Sequence, residues 1–389
     1  MRKVILFKGQ SQYDVLRYFV DDLALAFNKI GYQSIIIDLL AENCFSTLEE
    51  ALNNGDIFFA LGMNAVGMEI SVEKGSIYDL FNLPFVSFFV DHPIYQLERV
   101  KYSDVNNMIF SFVDRNHVSF MEKYIPQSCT KVFIPHGAPE SIVRATGKPQ
   151  MKQKEGLLFT GSYQDPDEIR NQWKNLDSTI KKLCDEISEE FLAYPNLTFE
   201  NCVQRVMYSR GWEYNISHYT KLIPLFQLVD LYNRNLIRRD VVTRLCKIVP
   251  MDIYGNGWNS LSGITATIHS PISFEETIMK MGTAKMSLCV LPTFKHGGHE
   301  RIFTAALAGS VNIVDYNEYL DEHFKDTESI LYYNYQELNS LDRIETLYKN
   351  TELLEFMSHN ARNVILSGHL WLHRAQQIID AVKLHKLFH

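Results

Sequence analysis

Short apolar runs alternate with amphipathic stretches from the amino terminus onward, and this alternation constrains the fold more than any other feature of the sequence. In the first half the runs are KVILF, SIIID, DIFFALG, FVSFFVD, MIFSFV and KVFIPHG. Each has strand length, and the spacing between them leaves room for a helix, so the pattern reads as βα units building a parallel sheet. Several runs are apolar on both faces, which suits a sheet covered by helices on each side. Between the first two, Val15, Phe19, Leu23, Ala26, Phe27 and Ile30 recur at helical spacing, and Gly31 stands where a C-terminal cap belongs.

The alternation lapses from Ala145 to Gly156, where Gly, Pro, Gln and Lys collect, and an interdomain linker is expected there. It restarts with GLLFTGS, MDIYGNGW, ATIHS, MSLCVLP and VNIVDY. The sequence therefore predicts an α/β protein of two Rossmann-like domains in tandem, residues 1–146 and 156–368, a division that suits a chain of 389 residues. Asp165 as N-cap before Pro166, with Glu168 as its reciprocal partner, predicts a helix start, and Ser273 with Glu276 predicts another. Residues 167–249 are rich in helix formers and hold no convincing strand, so a helical insertion in the second domain is expected. Residues 369–389 read as a terminal helix that packs back toward the first domain, with Leu372, Ala375, Ile379, Val382 and Leu387 on its apolar face.

Hydrophobic residues at 46% and charged residues at 22% give the balance of a folded globular chain. A formal charge of −8 disfavours sequence-independent binding to a phosphate backbone, so no nucleic-acid partner is expected. No uninterrupted apolar stretch reaches the ~18–20 residues of a membrane-spanning helix. Lys8 interrupts the apolar start too early for a signal peptide. A cytoplasmic protein follows, with peripheral attachment to the inner face of a membrane left open. The six cysteines show no CxxC pair or zinc spacing, which gives buried thiols and no metal site.

The chemistry concentrates between Cys289 and Tyr316. A strand ends near Pro292, a glycine-bearing loop follows, and an apolar helix runs from Glu300 to Ala308 before Gly309 stops it. Backbone can approach a ligand at Gly297 and Gly298, and the positive end of the helix faces the same space, an environment for a diphosphate. Arg301 adds a charge-assisted bond to phosphate, and His296 or His299 can donate to phosphate or a sugar hydroxyl. Glu300 suits ribose or sugar hydroxyls; the alternative is that it only complements the helix dipole and that Arg301 is solvated. Asp91 and His92 follow an apolar strand, where open α/β sheets display ligand-binding residues, and either is a candidate general base. The alternative for Asp91 is a cap on the turn before Pro93. His136 in FIPHG is a parallel case. The loop at Gly161 and Ser162 offers backbone N–H groups to phosphate or is a plain βα turn. Trp212, Tyr214 and His218 line an acceptor groove or pack a core.

From Tyr254 to the end, IYGNGW, HGGHERIFTAALAG, NIVDYNEYLDEHF and NARNVILSGHLWLHRAQQII stand in an order that resembles the CgeB-type, spore-maturation branch of group 1 glycosyltransferases. The resemblance implies a GT-B fold, with a nucleotide sugar, UDP- or GDP-linked, against the second domain, the acceptor against the first, and no metal or other cofactor. It places Tyr254, Asn256 and Gly257 near the sugar donor, with Glu300 and Arg301 at its ribose and diphosphate. The acceptor is a hydroxyl of a glycan, protein or lipid-linked molecule. Where better-known group 1 enzymes carry two spaced glutamates, this sequence has His296 and Thr304, with Glu300 one turn before Thr304. The alternative function is a non-catalytic lobe that binds the nucleotide sugar. A dehydrogenase or methyltransferase would need a glycine-rich turn after the first strand, where only Gly9 stands.

Overall fold

The structure, a computed structural model, describes residues 2–101, 107–124, 129–146, 150–213 and 216–388. Part of the expected linker, residues 147–149, lies outside them. The chain divides into two compact units. The first holds residues 1–141, 298–303 and 366–389, and the second residues 142–297 and 304–365.

In the first unit the apolar runs become six parallel strands: β1 (Lys3–Lys8), β2 (Gln33–Asp38), β3 (Ile57–Met63), β4 (Phe85–Phe89), β5 (Met108–Phe112) and β6 (Thr130–Phe133). Their order is β2-β1-β3-β4-β5-β6. Every residue of β4 and β5 is buried, because both faces of a parallel sheet carry helices. The helix Val15–Lys29 packs on the terminal helix Trp371–Phe388, with the Phe19 and Trp371 rings 5.2 Å apart. The order reverses between β1 and β3, and at such a switch point the loops beyond the strand ends part to leave a crevice.

The second unit repeats the plan with β7 (Glu155–Thr160), β8 (Met251–Tyr254), β9 (Thr267–His269), β10 (Ala284–Cys289), β11 (Val311–Asp315) and β12 (Leu331–Tyr333). All pairings are parallel, in the order β9-β8-β7-β10-β11-β12, which puts the switch point between β7 and β10. Between β7 and β8 come the helices Pro166–Lys174, Ser178–Ala193, Phe199–Ser209 and Ile216–Leu245.

Local signals set the helix ends. The Asp165 side chain accepts from the Asp167 N–H at 2.9 Å. Ser273 and Glu276 form a reciprocal capping box, and one such cap contributes about 1 kcal/mol. Gly31 and Gly309 lie just past helix ends with φ of 92° and 84°, the left-handed conformation that closes a helix. All six cysteines are buried and free.

Candidate functional site

Beside the switch point of the second sheet, the loops after β7 and β8 lock together through their backbones. Gly161 N–H donates to Tyr254 O at 2.9 Å, and Tyr163 N–H to Asn256 O at 2.8 Å. Asn256 N–H reaches Ser162 Oγ at 3.2 Å, and Trp258 Nε1 reaches Gly161 O at 2.7 Å. The two glycines of YGNGW make this approach possible. A Cβ on Gly255 would sit 2.2 Å from Gly161 O, and one on Gly257, whose φ is 87°, 1.9 Å from Tyr163 O. Gly161, Ser162, Asn256 and Gly257 are thus brought together.

The side chain of Tyr254 is occupied elsewhere. It stacks on His269 at 4.4 Å, His269 Nε2 meets Asp252 Oδ1 at 2.6 Å, and Lys280 Nζ lies 5.5 Å from the Tyr254 ring. These residues line a cavity of about 400 Å³ on the sheet. Sequence reasoning missed two residues of the insertion helix Ile216–Leu245. Asn235 Oδ1 accepts from Gln164 N–H at 2.9 Å, and Arg238 donates to Ser162 O, so this helix anchors the loop after β7.

The loop after β10 is held by a residue to which the sequence assigned no role. Asn317, buried beyond the end of β11, donates from Nδ2 to Phe294 O at 2.6 Å and to Gly297 O at 2.8 Å. Its Oδ1 accepts from Leu320 N–H at 3.0 Å and caps the helix Glu318–His323. His296 Nε2 faces Glu318 Oε2 at 3.3 Å. Lys295 is buried in the same loop, its Nζ 5.3 Å from the Phe191 ring and 5.7 Å from that of Tyr335.

Residues 298–303 cluster with the first unit, where His299 and Glu300 lie near His136. Glu300 opens the helix Glu300–Ala308, and its buried carboxylate pairs with His299 Nδ1 and stands 3.6 Å from Arg301 Nε. Burial pushes this carboxyl up, but His299 and then Arg301 outweigh it and bring the pKa down to about 2. Glu300 is therefore an anion already spoken for by its neighbours. His136 is 1% exposed, with its ring 5.7 Å from Phe19 and 6.0 Å from His299. Neither of its ring nitrogens has a hydrogen-bond partner among the described residues. Burial pushes its pKa down to about 3, so the imidazole is neutral at ordinary pH. Thr304 is wholly buried, and its Oγ1 has no hydrogen-bond partner among the described residues.

Asp91 and His92 part company after β4. Asp91 is exposed and accepts at Oδ2 from Asn64 Nδ2 at 2.8 Å. His92 is buried against His117 and Phe120, with ring distances of 4.6 and 5.6 Å. Its Nδ1 accepts from Ile94 N–H at 3.2 Å and caps the short turn Pro93–Tyr95. The capping role weighed for Asp91 belongs to His92, since the residue directly before the first helical position makes the N-cap bond. Trp212 packs under the Arg210 guanidinium at 5.2 Å. Tyr214 and the side chain of His218 lie outside the described residues.

Residues 234–380 match the family model described as glycosyl transferase-like. A search of curated proteins finds no match. Among solved structures, sucrose-phosphate synthase from Thermosynechococcus elongatus is similar at 11% identity and TM-score 0.52, covering 100% of this chain and 99% of the other. Anabaena HepE, solved with UDP and glucose, is similar at 10% identity and TM-score 0.51, covering 98% and 99%. An alpha-glucosyltransferase solved with UDP and a 13-mer DNA is similar at 11% identity and TM-score 0.57, also covering 98% and 99%. The fold is that of the GT-B glycosyltransferases.

Proposed function

We propose that the protein is a metal-independent glycosyltransferase of the CgeB type that moves a sugar from a UDP- or GDP-linked donor to a hydroxyl acceptor. One observation carries the reading. The loop clamped by Asn317 runs directly into the amino end of the helix Glu300–Ala308, and the loop after β10 is one of the two that flank the switch point of the second sheet. Helix N–H groups with Arg301 beside them form the environment a diphosphate requires. The family match spans this segment. The similar structures solved with UDP are the reason to place UDP first among the nucleotides.

In the proposed reaction the acceptor oxygen bonds to the anomeric carbon as the bond from that carbon to the diphosphate breaks. The leaving group keeps the electron pair. Its charge is met by the helix end and by Arg301, the task a divalent cation performs in other transferases. The hydroxyl proton passes to Asp91, the exposed member of the Asp91–His92 pair. His136 is neutral and gives shape to the wall behind His299. Gly161, Ser162, Asn256 and Gly257 offer backbone to the nucleotide, and His296, Gly297, Gly298 and His299 to the diphosphate and sugar.

Acceptors are hydroxyls of glycans, proteins or lipid-linked molecules. The alpha-glucosyltransferase was solved with DNA, but the net charge of −8 here works against that class. Among the described residues no helix is long and apolar enough to cross a membrane. The location proposed is the cytoplasm, with peripheral attachment to the inner face of a membrane left open.

The test offers a panel of nucleotide sugars, UDP-glucose and GDP-mannose among them, in the presence of EDTA. Binding is followed by calorimetry and turnover by nucleoside diphosphate release. One nucleotide class should bind and be slowly hydrolysed, and Arg301→Ala should lose it. Equal binding by the variant removes the assigned site. Binding without turnover against every acceptor tried leaves the non-catalytic lobe.

A further inference from the structure

β3 ends at Met63, and the chain then takes two left-handed residues in succession, Asn64 at φ 48° and Ala65 at φ 64°. Asparagine takes this conformation readily, but alanine holds it only where the surroundings fix it. The turn is tight. A Cβ on Gly62 would fall 1.8 Å from Val66 O.

Its effect is to bring Asn64, 8% exposed, against the end of β4. Asn64 N–H donates to Phe88 O at 2.9 Å. Its Oδ1 accepts from Val90 N–H at 3.0 Å, and its carbonyl accepts from Arg99 Nη1 at 2.8 Å. Ala65 N–H reaches Ser87 Oγ at 2.9 Å. Closing β4 requires only the carbonyl side of the Asn64 amide. The NH₂ goes instead to Asp91 Oδ2, an oxygen on an exposed side chain that water would otherwise satisfy. Asp91 Oδ1 accepts no bond among the described residues. The turn also lies at the switch point of the first sheet, between β1 and β3.

We infer that Asn64 is a positioning residue that fixes the Asp91 carboxylate through Oδ2, so that Oδ1 receives the acceptor hydroxyl. This rests on the function proposed above, in which that hydroxyl passes its proton to Asp91. The strained turn supplies the geometry, since an unfixed aspartate at a strand end samples several rotamers and spends little time in the productive one.

The experiment uses the full chain with UDP-glucose as sugar donor and methyl glucoside as surrogate acceptor, reading UDP release. Asn64→Gly keeps positive φ accessible and removes the amide. Asn64→Asp keeps the oxygen that accepts from Val90 and replaces the NH₂ with a carboxylate oxygen that repels Asp91. Both variants should lower the transfer kcat roughly 10-fold or more with an unchanged KM for UDP-glucose, and Asp91→Asn should lower it about 100-fold. Asn64→Gly combined with Asp91→Asn should be no slower than Asp91→Asn alone, a non-additivity that mere structural support would not produce. Native kcat in both Asn64 variants, or losses that multiply, overturns the inference while Asp91 keeps its role. Native kcat in Asp91→Asn overturns the base assignment and the inference together. Should UDP-glucose not turn over, the same variants are read with the nucleotide sugar that the panel selects, and native protein that turns over none of the panel overturns both.

Discussion

The Lys154 ammonium lies 2.7 Å from Gly309 O and 3.1 Å from Ala308 O, closing the carboxyl end of the helix that Glu300 begins. Ser358 Oγ donates to the same Gly309 carbonyl at 2.9 Å, and Arg362 donates to Leu307 O. The helix has no basic residue in its own last turn, so cations from distant parts of the chain complement its dipole. A helix pinned at this end holds its amino end still, which a phosphate-binding terminus requires.

Lys154 gives the first prediction. Burial, and then Arg362, push its pKa down to about 8 from the ordinary 10.5. The folded state thus disfavours the proton that the unfolded chain holds up to about pH 10.5. The stability tied to this group is complete above 10.5 and is lost as pH falls through about 8. Urea unfolding across that interval should show the native protein gaining about 3 kcal/mol relative to Lys154→Met as pH rises. A difference that does not change with pH would show that the ammonium is not strained by burial.

Asp22 behaves in the opposite sense. It sits on the buried face of the helix Val15–Lys29, and one carboxylate oxygen has no partner among the described residues. Burial, then Asp21 and Glu140, push its pKa up to about 7 from 3.8. Its contribution is complete below about 3.8 and is lost as pH rises through 7. Asp22→Asn should therefore stabilise the protein above pH 7 by on the order of 4 kcal/mol and have no such effect at pH 4 or below. Thermal melts of both proteins on either side of the interval decide it, and a variant melting no higher than native above pH 7 would refute it.

The strands read from periodicity became eleven of the twelve in the two sheets, and the caps at Asp165, Ser273, Gly31 and Gly309 lie where their residue types demand. These features are local, so sequence spacing encodes them. The twelfth strand, Leu331–Tyr333, is too short for a period to show. The clamps were illegible for a different reason. Asn64 acts on residues 26 and 27 positions away, and Asn317 on residues 20 and 23 away, and no motif spacing links such pairs. The glycines of YGNGW were legible as sites of close backbone approach, although the backbone they admit is that of residues 161–163. Glu300 was legible as an acid at a helix start. Its engagement by the preceding histidine was not.

Asn317 separates a clamp from a cap. Asn317→Asp keeps the oxygen that accepts from Leu320 N–H and removes the NH₂ that holds Phe294 O and Gly297 O. With the loop after β10 released, the KM for UDP-glucose should rise about 10-fold or more, since misplacing binding groups by an ångström costs that much. Leaving two buried carbonyls without this donor should also cost about 1–3 kcal/mol of stability. An unchanged KM with lowered stability would show that Asn317 supports the fold and not the loop's task.

Glu300→Gln tests whether the glutamate serves its neighbours or a ligand. The carboxylate is buried, ionised down to about pH 2, and engaged by His299 and Arg301. Because its folded pKa lies below the ordinary 4.5, its stabilisation is present above 4.5 and is lost as pH falls through about 2. Removing one partner of a buried ionic group leaves the others uncompensated, and about 3 kcal/mol should be lost at neutral pH. That deficit should shrink as acid protonates the native carboxyl, so the two unfolding curves converge at low pH. If Glu300 instead waits for a ribose hydroxyl, the glutamine still offers an oxygen to the sugar, stability stays near native, and UDP-glucose binding weakens only mildly. Calorimetric binding beside acid unfolding separates the two roles, and a variant as stable as native would return Glu300 to the ligand.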